Sequence, residues 1–192
     1  MKPITAILIF TLLSISVYAQ LKEPQVSTLS ISYFAPFAVQ PGGRLGLDIL
    51  LNNWRKEPDV KASIWVIRPH IGYFVRPDLH RNLIIGSELG YKLQKPNKRA
   101  YWLPTIEMSY LLSSENVEGS VHLGSGDITQ LKETYHYFLP ALGITYGIEA
   151  KKRIGYFFKL FYGRKISKQL PDAAVFGTEV GIKFLFQSIN NQ

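Results

Sequence analysis

Four histidines, His70, His80, His122 and His136, are the first candidates for chemistry in this 192-residue chain. None stands in a His-Glu-x-x-His or comparable ligand spacing, and the chain has no cysteine, so zinc and thiolate sites have no support. The one arrangement with hydrolytic potential is His122-Leu-Gly-Ser125, which offers a base and a nucleophile type, with Asp127 or Glu133 as the orienting carboxylate. It lies in a polar stretch between periodic segments, where a solvated loop is the plainer reading. No metal or organic cofactor is expected.

A second constellation is larger. Arg44, Asp48, Arg68, His70, Glu88, Lys92, Glu107, Lys159, Glu179 and Lys183 carry both signs of charge and are spread over the whole chain. They can meet only if a fold gathers them. Opposite charges confined together need partners, because an unpaired buried charge is costly. The expected outcome is a salt-bridged plug; an ion path or a catalytic acid pair are the rivals.

The elements that must position these residues repeat every two positions. In Val175–Phe186, one face carries Phe176, Thr178, Val180, Ile182, Phe184 and Phe186, while the other carries Val175, Gly177, Glu179, Gly181, Lys183 and Leu185. The same alternation predicts eight strands, roughly 28–39, 44–51, 62–75, 82–93, 100–112, 135–148, 155–165 and 174–186. Pro41-Gly-Gly43, Arg76-Pro-Asp78, Lys95-Pro-Asn97 and Leu170-Pro-Asp172 supply turn chemistry between them. Strands joined in sequence order can close on themselves and leave no edge. The expected fold class is therefore all-β, an eight-stranded antiparallel up-and-down barrel.

Which face points out decides the solvent. Trp65 and Tyr73, Trp102 and Tyr110, Phe138 and Tyr146, and Phe176 and Phe184 are each eight residues apart on the apolar face. That is about 26 Å along a strand, or about 20 Å along the normal at a tilt near 40°, close to a lipid-facing band. Gly46, Gly72, Gly86, Gly90, Gly143, Gly147, Gly155, Gly163, Gly177 and Gly181 all fall on the opposite face. Glycines weaken a solvated sheet but relieve crowding inside a narrow barrel. A transmembrane barrel is expected; a soluble, lipocalin-like carrier of apolar ligands would exchange inside and outside. Pro69, Pro104 and Pro140 fall within strands, where bulges or displaced strand ends are expected.

Residues 1–19 read as a secretory signal peptide: Lys2, an apolar run over Ile4–Leu13, and Val17-Tyr-Ala19 before a cut at Gln20. Residues 20–192 then form one barrel domain. The formal charge of +8 resides mainly in connectors such as Lys95-Pro-Asn-Lys-Arg99 and Lys151-Lys-Arg153, which suit anionic lipid headgroups better than nucleic acid. With an even number of strands both termini lie on one side, taken as periplasmic. The longest connector, 113–134, then faces outward and is the natural place for a surface ligand.

These features resemble the small eight-stranded outer-membrane barrels of the OmpA and OmpX type. Glu179-Val-Gly181-Ile-Lys-Phe184-Leu-Phe186 is similar to the carboxy-terminal signal through which that group is recognised by the barrel insertion machinery. The resemblance implies a Gram-negative outer membrane, with lipopolysaccharide and other outer-membrane lipids as surroundings, and a structural or surface-interaction role without enzymatic activity. It also supplies the rival: lipid A-modifying hydrolases use such barrels, and His122 with Ser125 would then be the pair to test.

Overall fold

The computed structural model describes residues 25–36, 40–51, 62–76, 79–95, 98–117, 131–149, 153–168 and 170–186. Eight strands follow one another: β1 (Gln25–Pro36), β2 (Gly42–Leu50), β3 (Ala62–Arg76), β4 (His80–Gln94), β5 (Ala100–Val117), β6 (Leu131–Ile148), β7 (Ile154–Lys165) and β8 (Ala173–Leu185). Each pairs antiparallel with the next, and β1 pairs with β8, so the sheet is a closed barrel. Closure satisfies every edge, which is what a β-structure without surrounding water requires. No helix among the described residues is long and apolar enough to cross a membrane, which says nothing about crossing by strands.

The expected alternation is realised with the apolar face outward. Leu142, Tyr162, Tyr156, Phe176, Ile106, Tyr33 and Val180 are among many large apolar side chains exposed on the outer wall. A soluble carrier would bury these groups and expose the charges instead. The eightfold-spaced aromatics mark two levels on this wall. On the side of the chain termini, Trp65 packs on Tyr91 and Trp102 on Tyr146, both with ring centroids 5.0 Å apart. On the opposite side, called the loop side below, Tyr110 stands beside His136.

Two expectations need correction. The three prolines produce neither bulges nor strand ends. Pro69 faces Ser87, Pro104 faces Ile144 and Pro140 faces Met108 in unbroken registers. On each proline's other flank the ladder skips two residue pairs: between Gly46–His70 and Ile49–Ile67, between Gly90–Thr105 and Leu93–Trp102, and between Phe138–Ile166 and Ala141–Gly163. A strand residue directs its backbone N–H to only one neighbour, so a proline opens one ladder and leaves the other whole. The register shift that does occur lies at Val26/Thr28, between β1 and β2.

The second correction concerns the long connector. β5 and β6 continue their pairing to Val117 and Leu131, past the apolar band, so the link spans 118–130 rather than 113–134. The polar residues of this extension lack the alternation that marks a half-buried strand, but the hairpin register carries them on.

Glycines line the inside where long side chains need room. A Cβ at Gly147 would run into the Tyr101 ring, and one at Gly143 would lie 2.6 Å from Lys159 Cε. These are packing requirements of a lumen only as wide as its side chains.

Candidate functional site: the lumenal charge network

Nine of the ten expected lumenal residues converge on the middle of the barrel, and all nine are buried. Even-numbered positions of β2, β3 and β4 and odd-numbered positions of β5, β7 and β8 share the inward face, which brings residues more than a hundred positions apart into contact.

Arg44 is the hub. Its guanidinium reaches Glu88 at 3.1 Å, Glu107 at 3.2 Å and Glu179 at 3.2 Å. The planar fork of five donors suits one arginine to several carboxylates at once. Lys159 lies across the same pair, 2.7 Å from Glu88 and 3.0 Å from Glu107. A second centre forms at Asp48, which accepts from Arg68 Nε at 2.5 Å and from Lys183 Nζ at 2.7 Å. Arg68 links the two centres through Glu88 at 3.6 Å. Four cations thus face four carboxylates, and the set balances without a charge on His70. Balance matters here because each ion loses its water on burial and recovers the cost only through its partners.

Two serines and a threonine that alternation alone does not single out join the set. Ser32 donates to Glu179 at 2.6 Å, Ser109 donates to Glu107 at 2.8 Å, and Thr28 donates to Asp48 at 3.0 Å. Their signal was available: each sits on the inward parity of its strand. Arg44 also stacks over Phe34, 3.9 Å from the ring centroid.

Lys92 departs from the expectation. It is part-buried on the termini side and pairs with Glu149, with its ammonium 4.8 Å from the Tyr101 ring centroid. Lys92 is four residues from Glu88 on β4, about 13 Å along the strand. Between its level and the network lies an apolar tier, Val66, Tyr101 and Leu103, joined by Leu50. A larger apolar tier of Phe34, Phe74, Ile84, Leu111, Tyr137, Leu139, Phe161 and Val175 covers the network on the loop side. Phe34 and Phe161 stack there at 5.1 Å. The charges therefore lie between two apolar layers.

His70, Glu88, Glu107 and Ser109 hold the residue types of a hydrolytic relay or a metal site. His70 Nε2 lies 3.2 Å from Ser109 Oγ and 3.3 Å from Glu107, and its Nδ1 is 3.9 Å from Glu88. The ligand atoms of His70, Glu88 and Glu107 fall within 4.8 Å of one another. Both carboxylates are already paired with Arg44 and Lys159. Ser109 is buried and donates to Glu107. The loop-borne candidates His122, Ser125 and Asp127 lie outside the described residues; Glu133 stands on β6 and is bonded to Tyr135. Of the four residues expected to form an insertion signal, Glu179 and Gly181 face the lumen and Phe184 has the outward parity, while Phe186 follows the end of β8.

Among solved structures the barrel is similar to a major outer membrane protein from Thermus thermophilus, 10% identical over 84% of this chain and 100% of that one, with a TM-score of 0.55. It is also similar to Neisserial surface protein A, 8% identical over 86% of this chain and 100% of that one, with a TM-score of 0.52. The fold is that of the small eight-stranded outer-membrane barrels. No protein-family model matches the chain, and none of the curated proteins matches it in sequence. The outer membrane enzyme PagL is 15% identical over 81% of this chain and 97% of that one, at a TM-score of 0.45 that carries no argument about activity.

Proposed function

We propose that the protein is an integral outer-membrane barrel of a Gram-negative bacterium, exported by the signal peptide over 1–19, with a closed lumen and a structural or surface-interaction role. The observation that carries this reading is the outer wall: a closed barrel whose exposed face is apolar, with two aromatic levels and its charges turned inward. Lipopolysaccharide and phospholipids are its surroundings. Glu179, Gly181, Phe184 and Phe186 present its last strand to the insertion machinery, and nucleic acid is not a partner. The 118–130 connector, on the side away from the termini, is the element left for a surface ligand.

The balanced network and its two apolar tiers support a plug rather than a pore, since eight strands leave room for side chains and little else. The protein should remain with membranes after carbonate extraction and migrate differently on gels before and after heating. In planar bilayers it should give no steady conductance; a large, stable one would overturn the closed lumen. The role is non-catalytic, and mass spectra of lipid A from cells with and without the protein should be the same. A lost acyl chain that depends on His122 and Ser125 would reverse that conclusion.

A further inference from the structure

The termini-side rim carries a second feature, outside the lumen. A groove of about 350 Å³ is lined by Leu93, Lys95, Lys98, Arg99, Ala100 and Trp102 at the β4–β5 turn. Its floor is apolar and its rim cationic. Leu93 and Trp102 face each other across the two strands and are both exposed on the outer wall. Lys95 follows Leu93 by two residues, about 6 to 7 Å farther along the strand. That is the step from the acyl boundary, where tryptophan settles, to the level of lipid phosphates.

Hydrogen bonds tie Lys95, Lys98 and Arg99 to their surroundings, and the two lysine ammonium groups are left over. Lys98 N donates to Lys95 O at 3.2 Å, and Gln94 Nε2 donates to Lys98 O at 2.8 Å. Arg99 Nε donates to the Glu149 carbonyl at 2.9 Å, while Glu149 N donates back to Arg99 O at 2.9 Å. The Glu149 carboxylate is taken by Lys92 and Gln94. Among the described residues neither Lys95 nor Lys98 has a carboxylate partner. Arg153, which precedes β7 on the same side of the barrel, is exposed and carries the same sign of charge.

We propose that this groove holds an anionic phospholipid of the leaflet on the termini side, with the phosphate between Lys95 and Lys98 and an acyl chain along Leu93 and Trp102. A zwitterionic lipid presents a similar phosphate, but its own ammonium opposes the two lysines, so the site selects for net negative charge. A free phosphate would leave the apolar floor without purpose.

The proposal rests on the membrane reading above, and one experiment separates the two. The full-length mature protein is inserted into phosphatidylcholine vesicles and titrated with spin-labelled phosphatidylglycerol or spin-labelled phosphatidylcholine. Wild type should favour the phosphatidylglycerol probe, and Lys95→Gln with Lys98→Gln should lower that preference by about fivefold per lysine. Lys132→Gln with Lys168→Gln removes the same charge from exposed positions on the loop side and should leave the preference intact. Insertion without preference, or equal loss in both variants, would overturn the lipid site alone. Failure to insert, seen as a lack of heat-modifiable migration, would overturn the membrane reading and this proposal with it.

Discussion

On β7, Lys159 is fully buried while its neighbours Phe158 and Leu160 are 42% and 48% exposed. The two faces of one strand are thus arranged opposite to those of a soluble sheet, and each is held by a different force. The outer face contributes nothing by contact with water and is stable only where hydrocarbon surrounds it. The inner face gains from Coulomb attraction and hydrogen bonds in a buried layer flanked by apolar tiers. The contrast teaches that residue type alone does not say inside or outside here; only parity along the strand, combined with the closure of the barrel, does.

The largest expected effect tests the inner face by unbalancing it. Lys159→Met leaves Glu88 and Glu107 with a cation removed and should cost about 3 to 5 kcal/mol in unfolding from lipid vesicles by denaturant. Adding Glu107→Gln removes one carboxylate and restores the balance of charge. The double variant should recover a large part of that loss. If the two losses simply add, charge balance is not what holds the lumen.

The outer face is tested next, by depth. Leu160→Arg places a cation within the apolar band and should cost about 2 to 4 kcal/mol, whereas Ile154→Arg, at the termini-side start of β7, should cost about 0 to 1 kcal/mol. Equal costs at the two positions, measured by the same unfolding titration in vesicles, would mean that the wall does not lie across a bilayer.

The contrast between faces also explains what could be read from sequence. Alternation puts Arg44, Asp48, Arg68, His70, Glu88, Glu107, Lys159, Glu179 and Lys183 inside, because eight charges and a histidine on one parity of six strands leave no other consistent arrangement. It could not find the apolar tiers. On β7 the inward residues Phe157 and Phe161 stand beside the outward Phe158 and Tyr162, so at these positions hydrophobicity carries no direction. Lys92 had the right parity but the wrong height, and height depends on which side chains stack between levels, such as Tyr101. The prolines depart from expectation for a different reason: propensity describes a residue against an average neighbour, while Pro69 loses a donor toward β2 and keeps its full register with β4.

The smallest effect is expected where neither face is involved. Beyond Ser113 and His136 the β5–β6 hairpin continues as a polar ladder past the apolar band, and the connector 118–130 follows it. Barrel stability resides in the closed ladder, the balanced lumen and the lipid-facing wall, all built from the eight strands. Replacing 119–129 with a short glycine-containing turn should therefore leave insertion unchanged and shift unfolding by less than about 0.5 kcal/mol, since loop-closure entropy varies only slowly with length. Tyr135 and Leu170 pack at the edge of the loop-side apolar tier, so this measurement also asks what seals it. A loss well above about 1 kcal/mol, against that slow dependence on length, or a conductance appearing in planar bilayers after the deletion, would show that the connector folds down as part of the seal. In that case the division into a stabilising barrel and a free recognition loop would have to be abandoned.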